Sequence, residues 1–255
     1  MNSQAIREAR EIVKNSKELV FFGGAGVSTA SGIPDFRSEN GWYATHANDS
    51  VPAEYYFSHE FSLEDSDGFA DFTRSCYRSY QVKPSGAHLA LKVLEDRGIL
   101  KAIVTQNIDG LHQKAGNHRI YELHGNMRDI YCPHCGRDYD RDRFMEQKGA
   151  VACPHCGTPV RADVVLYGES LDYSILDDSV QAISEADTLI VGGSSLVVYP
   201  AAGLLQYFRG NKLILINRDP TPADRRADVV IRDDISEVMP MIAGMKEIPG
   251  DASLE

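Results

Sequence analysis

No apolar run in this 255-residue chain could cross a bilayer. A helical span needs about 20 consecutive apolar residues, and the longest runs here, residues 19–22 and 213–216, are strand-sized. Residues 1–14 are charged and amphipathic and lack the apolar centre of a secretory signal, so a cytoplasmic location is expected. Positive charge is also in deficit. The 26 Lys and Arg against 37 Asp and Glu leave a formal charge of −11. Such a surface repels phosphate backbones, so no nucleic-acid partner is expected. It suits a basic partner such as a lysine-bearing peptide, or serves solubility alone. Cysteine is scarce, and four of the five fall in two close pairs. In a reducing cytosol such pairs favour metal ligation over a disulfide framework. The fifth, Cys76, lies in the polar-aromatic stretch 72–80 and reads as a small, partly buried side chain rather than a nucleophile.

The composition is 43% hydrophobic, enough for a core. The length fits one α/β domain with an insertion, or two small domains. Ile6, Ala9, Ile12 and Val13 share one helical face. Apolar, β-branched runs at 19–22, 102–104, 188–191, 213–216 and 229–231 read as strands, and 88–97, 173–186 and 201–208 as helices. Strands alternating with helices predict a Rossmann-like parallel sheet covered on both faces. Residues 38–84 and 127–163 break this rhythm. The expected division is a sheet domain from 1–38, 85–126 and 164–245, a helical insertion at 39–84 and a zinc-binding module at 127–163. The tail beyond Lys246 has little to bury and is expected to fray.

Cys132-Pro133-His134-Cys135 and Cys153-Pro154-His155-Cys156 form two CxxC knuckles with 17 residues between them. Glycine follows each, Gly136 and Gly157, permitting a tight turn. Four thiolates can close a tetrahedral zinc site with no position left for water or substrate, so one structural Zn²⁺ is predicted. His134 and His155 could substitute as ligands.

Gly23-Gly24-Ala25-Gly26-Val27-Ser28 follows a strand and runs into an expected helix start. Glycines there let backbone approach a pyrophosphate, with a helix N-terminus facing the negative charge. Alone, the loop could equally be a tight turn without a ligand. Thr29 replaces the last glycine of the GxGxxG pattern, and no acid stands in the usual place for the ribose. Asp35, Phe36 and Arg37 follow, an acid, an aromatic and a base side by side. A cofactor site could use each: Asp to fix the loop, Phe to cover a ring, Arg for phosphate.

These residues resemble the sirtuin family of NAD-dependent protein deacylases. Residues 24–37 resemble its GAGxSxxSGIPDFR signature and 105–112 its TQNIDxLH signature. His124-Gly125, the run Val164-Val165-Leu166-Tyr167-Gly168-Glu169, the run 193–201 and Asn217 follow in family order. Gly23, Ala162, Tyr167 and Ser194 stand where threonine, proline, phenylalanine and threonine are common in the family. The chain is most similar to bacterial members.

The resemblance implies that the acyl oxygen of an acyl-lysine attacks the ribose carbon bearing nicotinamide, and that nicotinamide leaves. His124 then acts as general base on a ribose hydroxyl, which attacks the imidate carbon. Water finally releases lysine and O-acyl-ADP-ribose. Asn107 and Asp109 would hold the nicotinamide carboxamide and a water, Gln106 the ribose, and Ile108 would wall the pocket. Gly24, Ala25, Gly26 and Thr29 would meet the phosphates. Phe36 would shield the reactive carbon, and Arg37 would bind near the phosphates, with Asp35 fixing the loop. Gly193, Ser194 and Ser195 would serve phosphate or ribose, Asn217 the adenosine ribose, and Ile235 would pack on adenine. Residues 164–169, with Val165, Tyr167, Gly168 and Glu169, would pair with the substrate backbone as an added strand. His112 would be structural. Counting back from Pro84, Phe72 and Ser75 fall where members that prefer acidic acyl groups carry Tyr and Arg; with no guanidinium there, although Arg74 is adjacent, uncharged acyl groups such as acetyl are expected. The alternatives are a mono-ADP-ribosyltransferase on the same site and a catalytically silent NAD sensor. The expected partners are acetyl-lysine proteins or peptides, and the chain is expected to be a monomer.

Overall fold

The computed structural model describes residues 2–245. The tail beyond Lys246 lies outside them. Six strands form a parallel sheet: β1 (Leu19–Gly23), β2 (Leu100–Thr105), β3 (Ile120–Glu122), β7 (Thr188–Gly192), β8 (Lys212–Ile216) and β9 (Val229–Ile231). Their order is β3-β2-β1-β7-β8-β9, which within the sheet is the 3-2-1-4-5-6 order of dinucleotide-binding folds. The short, half-buried β3 has no run of its own in the expectations above.

Strand residues alternate between two cores, because successive side chains point to opposite faces. Leu19, Phe21, Ile103, Ile190 and Ile214 pack under α1 (Ser3–Asn15), α5 (Gly86–Asp96) and α9 (Ile235–Ile242). Val20, Phe22, Val104, Leu189 and Leu215 pack under α8 (Tyr173–Glu185) and the 3-10 helix Ala201–Tyr207. Residues 201–208, expected to be helical, thus wind more tightly than an α-helix. Side-chain caps fix where the covering helices begin: Asn2 Oδ1 accepts the Gln4 and Ala5 amides, Asp172 that of Ser174 and Asp234 that of Ser236. Among the described residues no helix is long and apolar enough to cross a membrane.

The two excursions meet. The first holds α2 (Trp42–Thr45), α3 (His59–Glu64) and α4 (Ser66–Ser79). The second holds a three-stranded sheet of order β5-β4-β6, made of β4 (Gly125–Tyr131), β5 (Asp138–Tyr139) and β6 (Arg161–Val164), with α7 (Arg141–Glu146). Phe61, Phe69 and Cys76 of the first share one core with Ile130, Phe144 and Val160 of the second. Arg74, 1% exposed, ties them: Nε and Nη2 donate to the Phe144 and Gly149 carbonyls at 2.8 Å, and Nη1 to Asp71 Oδ1 at 2.7 Å.

Candidate active site

In the sheet order the chain runs outward from β1 on one side and from β7 on the other, so their carboxyl ends diverge and leave a crevice. A cleft of about 470 Å³ opens there, beneath the smaller lobe. Every residue expected at the cofactor and substrate positions lines it, from Gly24 to Ile235. None of the four paired cysteines does.

The loop after β1 departs from expectation. It forms two 3-10 turns, Ala25–Val27 and Thr29–Ser31, instead of opening an α-helix. Ser28 turns its hydroxyl toward Asp109 rather than capping a helix, and Gly32, at φ +93°, ends the winding ahead of Pro34. The loop therefore turns no α-helix terminus to the cleft. The glycines also serve a backbone-to-backbone contact. The Gly26 amide donates to the Gly193 carbonyl at 2.8 Å, and a Cβ on Gly26 would lie 2.8 Å from Gly193 Cα. Gly193 itself sits at φ +59°, which favours glycine.

At the centre of the cleft, Ser28 Oγ donates to Asp109 Oδ2 at 2.7 Å and accepts from Asn107 Nδ2 at 3.1 Å. The Leu111 amide donates to Asp109 Oδ1 at 2.8 Å. Burial pushes the Asp109 carboxyl above its ordinary range, against these two hydrogen bonds. Gln106 Nε2 donates to Ser194 Oγ at 3.0 Å, linking the ends of β2 and β7. His124 Nδ1 lies 3.0 Å from the Gln106 carbonyl oxygen. A carbonyl only accepts, so Nδ1 carries the proton and Nε2 is the basic nitrogen. Burial lowers the His124 pKa and keeps the ring neutral, opposed by that same bond.

On the lobe side, Cys76 and Ser79 of α4 and the capping residue Tyr80 line the cleft. Ser75 is exposed and Phe72 packs in the aromatic core, so neither position reached by counting back from Pro84 lines the cleft. The cations lining the cleft among the described residues are Arg37 and Arg218, and Arg74 is engaged in the lobe core. Burial pushes the Cys76 thiol up to about 12, so it stays protonated and is no nucleophile.

The substrate segment also differs. β6 ends at Val164, and beyond it only Tyr167 bridges, in parallel, to Ser58. Residues 166–169 close a turn, with the Glu169 amide donating to the Leu166 carbonyl at 2.9 Å. The Glu169 carboxylate accepts from Arg161 at 2.8 Å, His59 at 2.9 Å and the Leu166 amide at 3.0 Å. It shapes the turn.

A model of the Sir2 family matches residues 24–200. The chain belongs to the Sir2 family. It is 53% identical to an NAD-dependent protein deacetylase of Clostridium acetobutylicum over 92% of this chain and 96% of that protein. The corresponding protein of Clostridium perfringens is 51% identical over the same shares. Among solved structures, a Sir2 homolog–NAD complex matches with a TM-score of 0.85 at 32% identity, covering 93% of this chain and 92% of that one. Sir2 bound to acetylated peptide matches with a TM-score of 0.83 at 33% identity, covering 94% and 97%.

In this Sir2-family chain the four knuckle sulfurs lie within 4.8 Å of one another, Cys132 and Cys156 at 3.4 Å and Cys135 and Cys153 at 3.8 Å. Tetrahedral Zn–S bonds of about 2.3 Å place sulfurs about 3.8 Å apart, so the residues fit zinc. The turn amides of Gly136 and Gly157 donate to the Cys132 and Cys153 carbonyls at 2.9 Å, giving two matching knuckles. His134 and His155 are exposed and stand outside the cluster.

Ser28 is the residue of the centre that the sequence reading leaves without a role. Its signal was its place inside the glycine-loop signature. Its partners lie 79 and 81 residues away.

Proposed function

We propose that the chain is an NAD-dependent protein-lysine deacetylase that yields nicotinamide, O-acetyl-ADP-ribose and free lysine, acting in the cytoplasm as a monomer on acetyl-lysine proteins and not on nucleic acid. NAD, as co-substrate, supplies an electrophilic ribose carbon and a pyridine leaving group. The observation that carries the reading is the tautomer of His124. Its Nδ1–H is held by the Gln106 carbonyl, leaving a neutral, basic Nε2 in the same cleft as the dinucleotide loop. A base so held accepts a proton from a ribose hydroxyl near neutral pH.

The other assignments follow the cleft. The Ala25 amide, with Thr29 and Arg37, receives the phosphates, while the Gly24 and Gly26 amides hold the loop against the Gly192 and Gly193 carbonyls. Asn107 and Asp109, locked through Ser28, present an amide and a carboxylate to the nicotinamide carboxamide, with Ile108 as the wall. Gln106, Gly193, Ser194 and Ser195 serve the ribose and phosphates. Asn217 and Ile235 take the adenosine, with Asp35 and Phe36 on the covering loop. Val165, Tyr167 and Gly168 face the acyl peptide. Residues 1–38, 85–126 and 164–245 thus carry NAD, while 39–84 and 127–163 shape the peptide side.

The test is mass spectrometry of products from NAD and an acetyl-lysine peptide. Nicotinamide, deacetylated peptide and O-acetyl-ADP-ribose should appear in equal amounts. ADP-ribose attached to protein without deacetylation would establish the transferase alternative, and NAD binding without nicotinamide release the sensor alternative.

A further inference from the structure

Tyr167, which lines the cleft, meets Tyr43 of the neighbouring α2, and no role has been assigned to their contact. Their hydroxyl oxygens are 2.8 Å apart. Each residue is anchored to a different wall. Tyr43 stands in α2, whose start is bonded to the covering loop: the Trp42 amide donates to the Asp35 carbonyl at 2.7 Å and the Tyr43 amide to the Phe36 carbonyl at 3.0 Å. Tyr167 belongs to the substrate segment. Its amide donates to the Phe57 carbonyl at 2.9 Å, and its carbonyl accepts from the His59 amide at 3.0 Å. The Phe36 ring packs on both sides of this arrangement, 5.8 Å from the Tyr43 ring and 5.5 Å from that of Phe57. The hydroxyl contact closes a loop of four residues, Phe36, Tyr43, Tyr167 and Phe57.

We infer that the Tyr43–Tyr167 contact is a clasp that holds Phe36 over the reacting carbon, tying the exclusion of water to the segment that receives the acyl peptide. This rests on the deacetylase reading and on Phe36 as the shield. Tyr43 and Tyr167 act as positioning residues. A loosened Phe36 admits water to the ribose carbon. A C–O bond then forms as the C–N bond to nicotinamide breaks, a proton passes to solvent, and ADP-ribose appears without deacetylation.

The experiment uses Tyr43→Phe, Tyr167→Phe and the double variant, each losing only oxygen. With NAD and acetyl-lysine peptide at saturation, nicotinamide released is measured against peptide deacetylated. The parent ratio should be near one. Either single variant should raise the excess nicotinamide about two- to fivefold, the scale of one neutral hydrogen bond. The double variant should match the singles, because both remove the same contact. Phe36→Ala should raise the excess at least as far and make Tyr167→Phe silent. Parental ratios in the single variants, or effects that multiply in the double, would overturn the clasp. A parent enzyme that releases no nicotinamide with acyl peptide would instead defeat the deacetylase reading, and the clasp with it.

Discussion

Ser28→Ala removes one oxygen from the hydrogen-bonded centre of the cleft. Ser28 is 1% exposed, so water does not replace what is lost. The hydroxyl serves the Asp109 carboxylate at 2.7 Å and the Asn107 amide at 3.1 Å. A hydrogen bond to a charged group is worth about 1.5–3 kcal/mol and a neutral one about 0.5–1.5. The charge-assisted bond alone corresponds to a loss of about 10- to 100-fold in kcat/KM for NAD, at about 1.4 kcal/mol per decade. The pH dependence has a definite sign. Burial already raises the Asp109 carboxyl and the Ser28 bond opposes it; without that bond the carboxyl rises further and protonates at higher pH. The defect should therefore grow as pH falls, compared at two pH values. Initial rates of nicotinamide release with NAD varied and peptide saturating, at both pH values, measure it, and urea unfolding separates any loss of fold. A parental kcat/KM for NAD at both pH values would refute the assignment of Ser28 as the bridge between Asn107 and Asp109.

His124→Ala should lower turnover by about 10²- to 10⁴-fold while urea unfolding and NAD binding by calorimetry stay close to parental. Because burial lowers the His124 pKa, the acid limb of parental turnover should fall below pH 6.5, and a limb above 6.5 would contradict it. His112, buried and held at about 3, stays neutral in the fold but takes a proton below about 6.5 when unfolded. Stability is then lost as pH falls, by about 2 kcal/mol between pH 6.5 and 5. In urea titrations at pH 7 and pH 5, His112→Leu should show a correspondingly smaller drop; an unchanged drop would remove His112 from the account. Cys132→Ala should lose zinc, measured as metal per chain, and lower the midpoint of thermal unfolding. Chelation that stops turnover while leaving the fold untouched would contradict a structural metal.

The sheet was legible because its strands are buried on both faces and read as unbroken apolar runs, as at residues 19–22 and 213–216. The knuckles were legible because their four ligands follow local spacing. What escaped was set by packing between distant segments. β3 is short and half-buried, so it carries no apolar run. The face α4 turns to the cleft could not be counted back from Pro84, because the helix ends at Ser79 and the following turn resets its phase. The glycine loop was expected to open a helix; Ser28, drawn to Asp109 across the chain, and Gly32 kept it in 3-10 turns. The residues that line the cleft were legible through the family signatures, whereas Tyr43, outside the sites those signatures implied, was not.

The smaller lobe is assembled from two excursions with a common interior. It is therefore joined to the sheet by four passages of backbone, where an ordinary appended domain has one or two. A body moored at four points has little freedom to swing as a unit. Adjustment to different peptides must come from side chains and single turns along the mouth, so variants that broaden the range of accepted substrates should map to the rim and leave the two halves in a fixed mutual pose.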